Sequence, residues 1–555
     1  KGFCMSNGHD INIKRLLKQA LSKDKIFFSL IASYALVIAL VNLALPISIQ
    51  MLVNSVAYTA LVQPIVIISI ILVFMLGFSA TLSLLQKQLL EIYKRKSFVR
   101  TSSELFIKSI YSENNAFRKR NTSDLSSRFF EIFNIQRAAS ELIIDGLLTV
   151  LQIAVSFILS SFYHPYLMVM NIISLIVISI TWKFFKSNAI HLAIKRSEAK
   201  FEVFAWLDDV FRMSNYFKSE QNKKYALGKS RALINHYIET RKSYWSISFT
   251  QVIILTVLYA VFAIALFGVG SFLVIKGQLS LGQLVASEII FTGAMFGVAK
   301  LSNYFDLYYN LVASADELSH VFDLPNCDIP LPLGTTSINY NVSNILTLEN
   351  ISYTDHLKNN YKFDFKIKSQ TINLLISSSR EQTEILVQLI SYLICPHSGT
   401  MKFFAQNYSD FDPQNLRNNI WSIENDAMFS CTIKEYLTHG FTAISNTQIY
   451  NILELVELSQ LTSNLSHGID TLVISNGYPL NEEQIIQLKL ARSIIHQPDL
   501  LIINSVINKL PHELQNKILH YIKLQTKITL LTICYSSVIS NKTAYDNVIK
   551  LAITN

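Results

Sequence analysis

The sequence predicts a membrane α-helical half, six transmembrane helices with long cytoplasmic extensions, followed by a C-terminal α/β half. Three observations carry this. Hydrophobic residues make up 50% of the 555 and charged residues only 16%, too apolar for an average soluble chain and far too apolar for a disordered one. Residues 26–86 contain no Asp, Glu, Lys or Arg, far longer than the roughly 20 apolar residues that one span needs. Beyond residue 344 short β-like runs alternate with helical stretches, an α/β pattern.

Two spans fit within 26–86, about 26–53 and 62–86, with a turn at 54–64 (NSVAYTALVQP). Pro46 lies inside the first, where neighbouring helices can satisfy the freed backbone groups. The uncharged stretch 146–182 breaks at Tyr163, His164 and Pro165 and predicts spans of about 143–162 and 165–185. A fifth span, 245–275, turns through Lys276, Gly277 and Gln278 into a sixth, 279–310, which contains Glu288, Lys300 and Asp306. A carboxylate within a span is costly unless it meets a partner or water, so Glu288 is read either as a cavity-facing group or as one reaching solvent at the outer end. Asn42, Asn171 and His164 read as helix-packing or turn residues.

Charge gives the orientation. There are 32 basic against 21 acidic residues through residue 340, a balance of +11, and 16 against 18 after it, a balance of −2. Lys14, Arg15, Lys18, Lys23 and Lys25 precede the first span, 87–137 holds eleven basic residues and 183–242 thirteen, whereas the three short hairpins hold only Lys276. Lys and Arg gather on the cytoplasmic side of membrane proteins, so both termini and the C-terminal half are expected in the cytosol. The basicity then needs no nucleic-acid partner. The two charged segments read as helices, with apolar residues at spacings of three and four (Phe98, Leu105; Leu125, Phe129, Ile132, Ile135). They are interrupted at 116–123 (AFRKRNTS) and 215–224 (NYFKSEQNKK), candidate elbows toward a cytoplasmic domain.

Cys4, Cys327, Cys395, Cys431 and Cys534 are scattered without CxxC spacing and read as reduced thiols, with neither a metal site nor a disulfide framework. The opening at Lys1, with Met5 the first methionine, is expected to be a trimmed end. Pro325, Pro330 and Pro332 mark a linker over 325–343, dividing a membrane domain, 1–324, from a second domain, 344–555. In the latter, β-like runs at 345–348, 371–376, 500–503 and 528–533 alternate with helical stretches at 384–394, 448–458, 482–496 and 512–524.

The segments LPISIQ (45–50), DLSSRF (124–129), GQLSLGQL (277–284), FSCTIKE (429–435), HGIDTLV (467–473) and LARSIIHQPDLLII (490–503) together resemble bacterial ABC exporters, particularly half-transporters of the type I protein and peptide secretion kind, over nearly the whole chain. The resemblance implies a C-terminal α/β ABC ATPase-like domain and elbows acting as coupling helices. The nucleotide motifs, however, depart from the family. A phosphate loop needs glycines, a Lys and a Ser or Thr; counting back from PHSG (396–399), the matching stretch is ISSSREQTE (376–384). Ser379, Arg380, Glu381, Gln382, Thr383 and Glu384 therefore stand where a triphosphate would sit, with two carboxylates added. Thr383 keeps a hydroxyl and Arg380 a displaced cation. The stretch matching the metal-holding Asp and catalytic Glu reads Asn504-Ser505. By the same matching, the glutamine loop falls on Glu424, the switch histidine on Tyr535, the adenine-stacking aromatic on Asp355, and the signature on Asn481, Glu482 and Glu483. The Gly-Lys pair at Gly228 and Lys229 lies in a charged helical segment.

These positions predict no catalytic residue, no metal site, and weak or absent binding of ATP and magnesium. The expected protein is a pseudo-ATPase exporter subunit of the bacterial inner membrane, embedded in the lipid bilayer, with secreted peptide or protein as cargo. The resemblance implies a homodimer, or a heterodimer with a second ABC half-transporter, and admits a periplasmic adaptor. The alternatives are a non-transporting scaffold, conduit or regulator that reuses the fold, and an ordinary ATP-driven exporter.

Overall fold

The computed structural model describes residues 25–58, 62–112, 122–325, 340, 342–355, 358–424, 428–439, 444–535 and 544–551. Lys1, Met5, Lys14, Arg15, Lys18, Lys23, most of the 116–123 elbow, the centre of the first hairpin and nearly all of the linker lie outside them. The chain divides into two compact units, Lys1–Cys327 and Asp328–Asn555.

The first unit is helical: α1 (Lys25–Val41), α2 (Ala44–Tyr58), α3 (Val62–Tyr111), α4 (Thr122–Ser127), α5 (Glu131–Glu141), α6 (Leu147–Tyr163), α7 (Pro165–Arg212), α8 (Glu220–Ile275) and α9 (Leu281–Phe322). Six stretches among the described residues are long and apolar enough to cross a membrane. The first is interrupted at Asn42 and Leu43, because the chain restarts at Ala44 and places Pro46 in the first turn, where its missing N–H costs nothing. Asn42 accepts a hydrogen bond from Ser79 (3.0 Å) and ties this break to α3. His164 caps α7 by accepting from the Tyr166 N–H, with Pro165 at the first helical position. Gly277, at φ +70°, ends α8 in the left-handed conformation that glycine takes without strain, and Ser280 with Gln283 forms a capping box that starts α9. The second elbow is a single 3-10 turn, Tyr216–Lys218, before α8 begins at Glu220, so most of its polar run is helix.

Apolar packing is sealed by polar pairs. Ile153, Phe157, Leu167, Leu255, Phe291 and Met295 form the core of α6 to α9. Asn171, 3% exposed, donates to the Phe157 carbonyl at 2.9 Å and to Ser160 at 2.8 Å. An added Cβ at Gly282 would stand 2.2 Å from Asn54 Oδ1, so α2 and α9 meet there at a separation only glycine permits. Farther along α9, Glu317 pairs with Arg128 at 2.8 Å, and Glu131 of α5 takes Lys200 of α7, Asn134 (3.0 Å) and Ser314 of α9 (2.6 Å). Buried charges survive only when so paired.

The second unit is α/β. Its strands are β1 (Asn344–Thr354), β2 (Asn360–Lys368), β3 (Ile372–Ile376), β4 (Ser398–Phe403), β5 (Gln406–Asn407), β6 (Ile420–Ile423), β7 (Cys431–Thr432), β8 (Leu472–Val473), β9 (Leu500–Asn504), β10 (Thr529–Cys534) and β11 (Asn547–Lys550). An antiparallel sheet in the order β2-β1-β4-β5 stands beside a parallel sheet in the order β11-β3-β10-β9-β6. The central strands β3, β9 and β10 are near-continuous apolar runs, as covering on both faces demands. Helices α10 (Arg380–Ile390), α11 (Pro413–Asn419), α12 (Ile433–Thr438), α13 (Asn446–Leu455), α14 (Ser459–Asn464), α15 (Glu482–His496) and α16 (His512–Gln525) connect them. α10 begins four residues before the stretch expected at 384–394, because Ser379 caps it and Arg380 and Glu381 continue the turn.

Asp546 pins the edge strand β11: its carboxylate accepts from the Ile372 N–H at 2.9 Å and from Lys523 at 2.5 Å. Burial pushes this carboxyl up, but the bonds from Ile372 and Lys523 outweigh it and hold it below the ordinary aspartate range. A depressed folded-state value stabilises above the unfolded value and is lost as pH falls through the folded one. Asp546→Asn should therefore lower the unfolding temperature at pH 7, and the difference from the parent should shrink as pH falls below about 4, measured by thermal melts of the detergent-solubilised chain.

Candidate functional site

The loop between β3 and α10 is where a phosphate-binding turn would stand, and the sequence folds it into a serine-capped turn instead. Ser379 (φ −117°, ψ 126°) accepts from the Gln382 N–H at 3.3 Å. Ser377 donates to the Ser379 carbonyl (3.1 Å) and to Gln382 Oε1 (3.2 Å), and its own N–H is taken by the Cys534 carbonyl. Ser377, Gln382 and Thr383 are each no more than 2% exposed. The Ser377 and Ser379 hydroxyls are thus spent within the turn, on the N–H groups of Ser379 and Gln382.

Thr383 Oγ1 lies 2.8 Å from the Tyr535 hydroxyl, and Tyr535 donates to Asn504 Oδ1 at 3.1 Å. Three positions matched separately in sequence, on α10, at the end of β9 and just after β10, therefore meet in one hydrogen-bonded chain. Ser505 follows at φ +60°, its N–H bonded to the Ile533 carbonyl at 2.9 Å. Arg380 is paired with Glu384 at 3.0 Å on the exposed face of α10. Glu381 sits in the first turn, where a carboxylate complements the positive helix end. Tyr361 of β2 reaches both Asp355 (3.3 Å) and Glu381 (3.4 Å). Burial, together with those two carboxylates, pushes its phenol up, with Asn359 partly opposing. Asp355 also accepts the N–H of Asn359 at 2.8 Å.

The remaining matched positions are tied to other neighbours. The Glu424 carbonyl accepts from Lys489 at 2.9 Å. Asn481 caps α15 in a reciprocal box with Gln484 (2.8 and 2.9 Å), Glu482 pairs with Lys509, and Glu483 lies in the same first turn. Glu288 is half-buried on α9 with no hydrogen bond or ion pair among the described residues. The Gly228-Lys229 pair lies inside α8, with Lys229 over the Trp206 ring at 3.9 Å. No group of three His, Cys, Asp or Glu side chains converges as a metal site among the described residues.

Sequence matching overlooked Tyr361 and Ser377. The alternating Tyr361, Phe363 and Phe365 on β2 was the available signal for that strand; nothing in it marks the tyrosine as a partner of Glu381.

Comparison with known proteins places these features in context. The family "ABC transporter transmembrane region" matches residues 27–298. The exotoxin translocation ATP-binding protein PaxB of Pasteurella aerogenes is 22% identical over 420 residues, covering 73% of this chain and 57% of that protein. A beta-(1→2)glucan export ATP-binding/permease protein of Bartonella bacilliformis is 24% identical over 255 residues, 45% of this chain and 42% of that protein. The chain spans about half the length of the curated relatives it matches. The solved structure of a bacterial Atm1-family ABC exporter with ATP bound superposes with a TM-score of 0.79 at 16% identity, covering 97% of this chain and 94% of that one, which speaks to fold alone.

Tyr535→Phe removes one hydroxyl from a chain that satisfies Thr383 and Asn504. It should lower stability by about 1 kcal/mol, read as a shifted denaturant midpoint, and Thr383→Val should cost less when added to it than in the parent, because both remove the same interaction.

Proposed function

We propose, from the match of residues 27–298 to the ABC transporter transmembrane region and the ABC exporter fold of the chain, that it is a bacterial inner-membrane export subunit acting as a pseudo-ATPase. The observation that carries this reading is the closed chain Thr383–Tyr535–Asn504. A magnesium triphosphate asks for free backbone N–H groups, a cation over the β/γ-phosphates and an anionic metal ligand. Here the Ser379 and Gln382 N–H groups are taken by serine hydroxyls, Arg380 is paired with Glu384, the metal-ligand position is a neutral amide, and a phenol stands against the threonine hydroxyl. This donor set does not fit the nucleotide, and Glu381 adds repulsion. Both termini and the second unit are cytosolic in this reading, from the Lys and Arg distribution. Secreted peptide or protein is the cargo favoured by the type I secretion resemblance and by the exotoxin relative.

Equilibrium binding of labelled ATP with magnesium to the purified full chain, beside a phosphate-release assay, tests it. The expected result is no saturable binding up to about millimolar nucleotide and no turnover; saturable binding with turnover would restore the ordinary exporter. A second reading, a scaffold or conduit, is favoured by the self-capped start of α15. That end, which would face a partner's nucleotide, is closed by Asn481 and Gln484 and carries two carboxylates.

Dimerisation belongs to the same proposal. On the charged helical extensions, large apolar side chains stand in the open where the flanking Lys and Arg exclude lipid: Phe106, Ile110, Phe211 and Tyr225 are all more than 60% exposed. Isolated exposed apolar groups are ordinary, but Phe106 and Ile110, four residues apart on one face of α3, are open together, and such a pair marks a candidate interaction surface. A second copy or a homologous half-transporter is the partner proposed. The mass of the purified chain in a mild detergent should be that of two copies when it is expressed alone, and a monomer at every concentration would overturn the homodimer.

A further inference from the structure

Between α5, α7, α8 and α9 of the first unit lies a cavity of about 350 Å³, at the small end of the range of ligand pockets. Its wall carries Arg137, Arg196 and Lys200 together with Glu131 and Asp306. The two carboxylates are already saturated. Glu131 accepts from Lys200, Asn134 and Ser314, and Asp306 accepts from Tyr244, from Ser248 at 3.3 Å and from Asn310 at 2.8 Å.

The guanidinium groups are not. Arg196 lies over the Tyr244 ring, 4.3 Å from its centroid, and gives one N–H group to Asn310. Arg137, exposed at the mouth, gives only its Nε, to Glu141 at 3.1 Å. A guanidinium has five N–H donors in a planar fork, so most of both forks is uncommitted among the described residues. The cavity wall is therefore rich in uncommitted N–H donors, while its two carboxylates are already taken. Ala138, Leu307 and Ala313 supply an apolar part of the wall.

We propose that this cavity binds an oxyanion, a carboxylate or phosphate borne on a small organic skeleton, with Arg196 as the bidentate anchor and Arg137 as the second contact. Contact with the Tyr244 ring and the bond to Asn310 hold the Arg196 guanidinium, so it is positioned before the ligand arrives. A fixed fork matches the two oxygens of a carboxylate or phosphate, which a lysine cannot do. The site is independent of the nucleotide reading of the second unit and would stand if that reading failed. A soluble metabolite and a lipid phosphate share this chemistry, and the experiment separates them.

The full chain is placed in phosphatidylcholine nanodiscs and titrated with citrate and with inorganic phosphate at ionic strength held constant with chloride; a parallel preparation contains phosphatidylglycerol. Saturable citrate or phosphate binding is expected, weakened about tenfold or more by Arg196→Gln and less by Arg196→Lys. Arg137→Gln, a change at an exposed position, should weaken it with no change in the melt in chloride. If phosphatidylglycerol competes with citrate, and does so only while Arg196 is present, the oxyanion comes from a lipid headgroup. No saturable binding in any arm, a response equalled by chloride, or variants that bind like the parent would overturn the proposal.

Discussion

Hydrocarbon offers no hydrogen bonds, and that constraint shapes the first unit. Every backbone group at membrane depth has to be satisfied within a helix, so departures from regular helix are confined to places with a substitute partner. At the break, the Asn42 and Leu43 N–H groups still reach the Ile38 and Leu40 carbonyls and the Leu43 carbonyl accepts from Ile47, and the turn before α7 is closed by the His164 side chain. Asn171 illustrates the complementary rule for side chains: its amide is shared among a carbonyl and two serines on the neighbouring helix. Toward the charged extensions, the same economy becomes ionic, with Glu131 and Glu317 each held by a cation from another segment.

The second unit shares the fold of the ABC exporter on which the chain superposes, and at its β3–α10 turn serine, threonine, tyrosine and asparagine side chains bond to one another. Two buried apolar clusters, one around Leu375, Leu386, Ile502 and Ile533 and the other around Leu437, Leu453, Leu490 and Ile518, hold the sheet and helices independently of anything at the β3–α10 turn. Fold and chemistry are thus separable here. Hydrophobic burial fixes where the loop tips lie, and the residues at the tips decide what they can hold.

Much of this was legible in the sequence because its signals are local. Uncharged runs and basic flanks located the membrane helices, and the apolar runs at 500–503 and 528–533 correspond to β9 and β10. Strands whose evidence is a partner were less visible: β4 and β11 pair with distant segments, and neither has a distinctive pattern of its own. At the site, matching by position identified Thr383, Asn504 and Tyr535 one at a time, but their joining depends on three strands of a parallel sheet ending side by side, which no short motif records. The cavity beside Arg196 was invisible for a related reason: its groups come from four helices, and in sequence Arg196 and Lys200 lie in a charged helical segment while Asp306 and Asn310 lie in the sixth span, with nothing to join them.

The Thr383–Tyr535–Asn504 chain also bears on how the sequence could change. An aromatic ring packed between a helix start and two strand ends occupies volume as well as hydrogen-bonding capacity, so a lysine, an aspartate or a glycine introduced alone at any of these positions would meet a filled and satisfied site. Each single substitution would leave a buried group without its partner before it gained a ligand. A site for a charged ligand could arise at these positions only through several coordinated substitutions, because the three side chains already satisfy and fill one another's surroundings.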